Sequence, residues 1–192
     1  MELSYYKKNR IKENLQYFYN ESTEEDRMNG KQWYMRANMH CEKLAVEYGY
    51  PAETVVSVLS ALSPRNKWER NLIDTETVLK AVRDDQGPDD VKVCTFNNNK
   101  EKAFRIARYE ESLSIDSPKT YAFLQNILYL NDQYVTIDVW HMRAAFNKMI
   151  PVNLNKSVYE EIQKITIKEA EQVGLKGYEY QAIIWETIKN SN

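Results

Sequence analysis

The stretch Pro51-Ala52-Glu53-Thr54-Val55-Val56-Ser57-Val58-Leu59-Ser60-Ala61-Leu62, followed at once by Ser63-Pro64-Arg65-Asn66-Lys67-Trp68-Glu69-Arg70-Asn71, decides how the chain is read. From Val55 to Leu62 every side chain is apolar or small. Its β-branched residues suit a strand as well as a helix. Pro51, Ala52 and Glu53 make a good helix start, because proline is tolerated in a first turn and an acid favours that end. No two-residue alternation appears. The segment is therefore read as a buried helix, which Ser63-Pro64 breaks.

Working outward, Trp33, Ala37, His40, Cys41, Leu44, Ala45 and Tyr48 recur at helical spacing, and Gly49 fits the C-terminus of that helix. Ile11, Leu15, Phe18 and Tyr19 mark an amphipathic helix within residues 1–20. Ser22 or Thr23 is placed to cap a short helix that Gly30 would end. On the other side, Arg65 to Val82 reads as a helix ending near Gly87-Pro88, and Lys100 to Tyr109 as a basic helix. Ser112 to Pro118 reads as a turn and Lys119 to Leu130 as a helix. Val135-Thr136-Ile137-Asp138 is short and extended. His141 to Met149 is helical, with Pro151 ending it, and helices at about 156–173 and 177–189 close the chain. The expected fold class is all-α.

The chain has 192 residues, of which 43% are hydrophobic and 28% charged. That balance is globular and not disordered. A chain this long buries roughly 70% of its unfolded surface, so it needs no disulfide or metal to fold. Only 5 glycines and 5 prolines interrupt it, which suits helices. Two cysteines, Cys41 and Cys94, are too few for a disulfide framework or a cysteine-ligated cluster. His40 beside Cys41 is not a metal site, since adjacent helical residues point about 100° apart. No metal or other cofactor is expected. A net charge of -2 argues against coating nucleic acid through bulk charge, and leaves room for a local basic face. No apolar run approaches the ~18 residues of a membrane span. Met1 to Arg10 lacks the apolar core of a signal peptide. The expectation is a cytoplasmic protein without a membrane partner.

Three polar segments stand out: Ser63 to Asn71, then Ser117-Pro118-Lys119-Thr120, then Thr136-Ile137-Asp138-Val139-Trp140-His141. In this order they resemble the helix-hairpin-helix DNA glycosylase superfamily, the endonuclease III-like group. There an apolar helix ends in a polar loop that probes DNA. A hairpin follows, with a catalytic lysine opening its second helix in bifunctional members. A catalytic aspartate then stands just before another helix. Leu62 to Asn71 matches the probing loop, Pro118-Lys119-Thr120 the start of the hairpin's second helix, and Ile137-Asp138 the aspartate segment. Asn98-Asn99-Lys100-Glu101-Lys102 matches the polar start of the preceding helix. The resemblance covers roughly residues 50–150. The chain departs from the family at the hairpin, where Leu113-Ser114-Ile115-Asp116-Ser117 has no glycine and carries an acid that repels phosphate. The family's iron–sulfur ligands are absent, and His141 lies three residues after Asp138, not two. With Gln181-Ala182-Ile183-Ile184-Trp185, the set also resembles small phage-type relatives of these glycosylases.

The resemblance implies a two-lobed helical fold, with residues 1–51 plus 131–192 in one lobe and 52–130 in the other. A cleft between them would hold Lys119 and Asp138. It implies a DNA N-glycosylase, in the bifunctional case with AP-lyase activity, that excises a modified or damaged base from a duplex after flipping it. Asp138 would stabilise positive charge on the sugar, and Lys119 would attack as a neutral amine. A flipped base needs aromatic walls, for which Trp68, Tyr121 and Trp140 are candidates. Arg65 and Asn66 would fill the gap or read the opposite base. Asn71 and His141 complete the candidate DNA-binding set, and Lys100, Lys102, Arg105 and Arg108 would track phosphates. Two alternatives stay open. One is a phage-type transferase in thymine hypermodification, acting on DNA or a modified nucleotide with the glycosidic bond intact. The other is a non-catalytic DNA- or protein-binding module, which the glycine-free hairpin and the acidic pI of about 5.8 favour. In a phage setting the compartment is the host cytoplasm.

Overall fold

The computed structural model describes residues 4–147 and 154–190. Among these residues the chain is all-α, with helices and no strand. The helices are α1 (Tyr5–Asn20), α2 (Glu24–Tyr48), α3 (Ala52–Leu62), α4 (Trp68–Arg83), α5 (Asn97–Ala107), α6 (Pro118–Tyr129), α7 (Val139–Phe146), α8 (Lys156–Gln172) and α9 (Gly177–Asn190). A single 3-10 turn, Pro88–Asp90, lies between α4 and α5.

The chain divides into two compact units, residues 1–36 with 129–192, and residues 37–128. In the first unit α1 packs on α7, α8 and α9, and α9 packs on α7 and α8. Ile11 and Leu15 of α1, Ile162 of α8 and Ile183 and Ile184 of α9 are fully enclosed. In the second unit α3 is the centre, flanked by α4 and α5. Every residue from Thr54 to Leu62 is buried, which is the environment that a helix apolar on all sides requires.

Several boundaries differ from the expectation, each for a physical reason. Gly30 does not end a helix: α2 runs unbroken through it. The glycine is there because α9 passes so close. A Cβ at Gly30 would stand 2.5 Å from the Ile183 amide nitrogen. Thr23 is the cap of this long helix. Its Oγ1 accepts from the Asp26 N–H, and the Asp26 carboxylate accepts from the Thr23 N–H, a reciprocal capping box.

The helix expected from Arg65 begins at Trp68, because Arg65 takes a left-handed conformation (φ 58) that no α-helix contains. It ends at Arg83, before Gly87-Pro88. The basic helix starts three residues early, at Asn97, and stops at Ala107. α7 starts at Val139 and closes at Phe146 on a left-handed Asn147. Pro151 lies outside the described residues.

Candidate functional site

Two polar clusters, one in each unit, hold part of the sequence-predicted set. In the first unit the segment from Val135 to Ile137 is buried and belongs to no helix or sheet, and it turns at Ile137, where the Thr136 carbonyl accepts from the Asp138 N–H at 3.2 Å. Buried backbone groups need partners, and here α8 supplies them through side chains. Tyr159 Oη donates to the Val135 carbonyl at 2.8 Å and accepts from the Ile137 N–H at 3.1 Å. Gln163 Oε1 accepts from the Val135 N–H at 3.0 Å. This splint delivers Asp138 to the N-terminus of α7, where its Oδ1 accepts from the His141 N–H at 2.8 Å. Asp138 is thus the N-cap of α7 and half-buried.

Two buried phenols, Tyr34 and Tyr159, lie against this segment. Tyr34 donates to Gln181 Oε1 at 2.9 Å and is hydrogen-bonded to Thr136. Burial pushes the Tyr34 phenol well above its usual range, and the Asp138 carboxylate adds to the rise. Tyr159 is shifted the same way, mainly by burial. Both phenols stay protonated and can donate.

His141 is fully buried. Its Nε2 lies 2.9 Å from Thr166 Oγ1, which already donates to the Ile162 carbonyl. Nε2 must therefore donate, leaving Nδ1 as a bare lone pair, and Nδ1 finds no hydrogen-bond partner among the described residues. Burial lowers the imidazole to about 3. Trp140 is half-buried, with the Arg143 guanidinium 4.5 Å from its ring centroid.

In the second unit the probing-loop residues converge on Asp74, a carboxylate with no exposed surface. It accepts from Asn66 Nδ2 at 2.9 Å, Arg70 Nε at 2.7 Å and the Cys94 N–H at 2.8 Å. Thr95 Oγ1 donates to the Pro64 carbonyl, so the loop before α4 is fastened to the segment before α5. Arg65 is exposed on this clamp with its guanidinium 5.4 Å from the Phe96 ring centroid. Asn71 is buried and donates to the Leu59 carbonyl at 3.0 Å, tying α4 to α3. Trp68 opens α4 and is half-buried.

Lys119 is the second residue of α6, after Pro118, and is half-buried, as is Tyr121. Lys100 Nζ reaches the Val91 carbonyl at 3.4 Å. Lys102 and Arg105 both engage Glu111, at 3.4 and 2.8 Å. Arg108 donates to the Gln86 carbonyl. The expected phosphate-tracking cations thus have local partners.

Arg65, Asn66, Trp68, Asn71, Lys100, Lys102, Lys119 and Tyr121 all belong to the second unit, and Asp138, Trp140 and His141 to the first. The family model that matches is described as a family of unknown function (DUF7178), and it covers residues 2–192. The chain belongs to that family. No curated protein and no solved structure matches it. Among the described residues no group of three or more His, Cys, Asp or Glu is arranged to hold a metal ion. No described helix is long and apolar enough to cross a membrane. Cys41 is buried, which pushes its thiol up to about 12, far from a reactive thiolate.

Sequence reasoning missed Asp74, Tyr159 and Tyr34. For Asp74 a signal existed: Asn71, Asp74, Thr75 and Val78 recur at helical spacing, so an acid falls on the buried face of its own helix. Nothing in the sequence joins Tyr159 to Ile137.

Proposed function

We propose that this protein is a DNA N-glycosylase of the two-lobed helix-hairpin-helix type, with Asp138 as its working carboxylate and Lys119 as its amine. The observation that carries the reading is the splint around Val135–Ile137. A buried irregular segment held by side chains is a costly way to lead into one residue, and the residue that follows it is Asp138. Cleaving the C1′–N bond sends its electron pair to the departing base and leaves positive charge on the deoxyribose. A carboxylate fixed beneath the sugar stabilises that charge without reorganising. Neutral Lys119 then bonds to C1′; loss of its proton and ring opening give an imine.

The test is incubation with duplexes carrying uracil, hydroxymethyluracil, oxidised or alkylated bases, followed by alkali cleavage. Asp138→Asn is the informative variant, because asparagine caps a helix as well as aspartate and removes only the charge. Base release by the wild type and its loss in Asp138→Asn support the reading. Release at the wild-type rate in Asp138→Asn overturns it. A borohydride-trapped DNA adduct that disappears in Lys119→Ala assigns the lyase step.

A second reading, a non-catalytic binding module, draws on Glu111. By engaging Lys102 and Arg105 it neutralises part of the face that a glycosylase would turn to phosphates. Absence of any strand cleavage across the panel favours this reading.

A further inference from the structure

Arg27, Arg70, Arg105 and Arg108 each donate to an acceptor nearby. Arg143 does not. Its side chain is half-buried, yet among the described residues it makes no hydrogen bond and no ion pair. Its Nε is enclosed without an acceptor. The contact that holds it is the Trp140 ring, whose centroid lies 4.5 Å from the guanidinium. A cation drawn partly out of water and left unpaired is unfavourable, and an arriving anion removes that penalty.

The direction of the side chain matters. Arg143 stands in the last turn of α7, where the helix dipole favours a cation. A guanidinium serving only that end would lie over the last carbonyls. This one leans back almost a full turn onto Trp140, as long helical side chains do toward their N-terminus. Trp140 is the second residue of α7, and Asp138 is the cap of the same end. The remaining α7 residues His141, Met142, Ala144 and Ala145 are buried, so Trp140 and Arg143 occupy the outward face. One end of one short helix therefore carries a carboxylate and an unpaired guanidinium.

The guanidinium is a planar fork that matches two oxygens of an oxyanion. A ligand that meets both groups has a centre that becomes positive at Asp138 and a permanent negative charge close by. A nucleotide has this pattern, with a deoxyribose joined directly to a phosphate diester. We propose that Arg143, seated on Trp140, binds a phosphate oxyanion. The source of that phosphate rests on the glycosylase reading: it is the backbone diester beside the nucleotide whose sugar faces Asp138.

Two measurements test it: anisotropy of a fluorescein-labelled duplex over a salt series, and thermal melting with and without millimolar inorganic phosphate. Arg143→Gln should weaken duplex binding about fivefold and flatten the salt slope by about 0.9, the value of a single phosphate contact. Arg143→Lys should keep the slope but bind more weakly than the wild type, because an ammonium forms no fork. Lys164→Gln, which removes an exposed cation of α8, should leave both unchanged. Equal flattening in Lys164→Gln would be bulk charge and overturns the proposal. If inorganic phosphate raises the melting temperature of the wild type but not of Arg143→Gln, and the duplex slope is unchanged, the site takes free phosphate and the diester assignment falls. Neither effect overturns the proposal. Should Arg143→Gln fail to fold, Arg143→Lys decides, and binding as tight as the wild type overturns the fork. A slope lost in Arg143→Gln without base release from any duplex keeps the phosphate site and removes the glycosylase reading. Base release with both measurements unaffected does the reverse.

Discussion

Gly30 of α2 lies directly against the backbone of Ile183 in α9, so close that a Cβ would stand 2.6 Å from the Ile183 Cα. Backbone cannot swing aside as a side-chain tip can. Alanine is the better helix former by roughly 1 kcal/mol. Here the overpacking should win, at about 1–3 kcal/mol, because the two helices must part. Gly30→Ala is expected to lower the denaturant midpoint, and the measurement is a urea melt of the pair. A more stable variant would mean that α2 and α9 are farther apart than described.

The hydroxyl of Tyr159 is the sole part of that side chain lost in Tyr159→Phe. Its removal strands the Val135 carbonyl and the Ile137 N–H, both buried. Each unsatisfied buried group costs about 1–3 kcal/mol. The variant should lose roughly 2–4 kcal/mol of stability. Amide exchange at Ile137 and Asp138 should quicken before the rest of the unit opens, and hydrogen-exchange mass spectrometry reads this. Exchange that speeds evenly over the whole chain would show that Tyr159 is ordinary core and not a local splint.

How much of this was legible in the sequence follows from the range of each interaction. The helices around Leu59, Ile127 and Ile183 are visible because their apolar spacing is local, and Gly49 and the Thr23 cap announce themselves within a few residues. Asp138 as a residue opening a helix was legible for the same reason. Gly30 was misjudged because a glycine that stops a helix and one that lets a neighbour approach look alike; only Ile183, far along the chain, separates the two. Arg65 was taken into a helix because nothing local forbids it. The left-handed turn depends on Asn66 reaching Asp74 and on Thr95 reaching Pro64, contacts between segments with no shared pattern.

His141 sets a pH dependence whose sign can be worked out. Its folded pKa of about 3 lies below the ordinary 6.5, because burial disfavours the charged ring. Between these values the unfolded chain binds a proton at this site that the folded chain does not. Stability therefore rises with pH across that window: the contribution is complete above about 6.5 and is lost as pH falls toward 3. The limiting slope is about 1.4 kcal/mol per pH unit. Replacing the ring in His141→Gln removes the titration. The stability gap between wild type and variant should thus narrow by roughly 1 kcal/mol between pH 6 and pH 5, read from urea melts at each pH. A constant gap would show that the imidazole is hydrated in the folded protein.

Glu111 offers a test of the basic helix that leaves the proposed catalytic groups untouched. The Arg105 hydrogen bond, with Lys102 adding its charge, holds the Glu111 carboxyl below the usual carboxylate range, so it is ionised and neutralises part of that face at neutral pH. Glu111→Gln keeps the shape and removes the negative charge. If Lys102 and Arg105 contact phosphates, the variant should bind duplex DNA a few-fold more tightly at low salt. Its affinity should also fall more steeply as salt is added, because more counterions are released on binding. Fluorescence anisotropy with a labelled duplex over a salt series measures both. Unchanged affinity and slope would place the DNA-contacting face elsewhere, since a carboxylate between two phosphate-binding cations must weaken them.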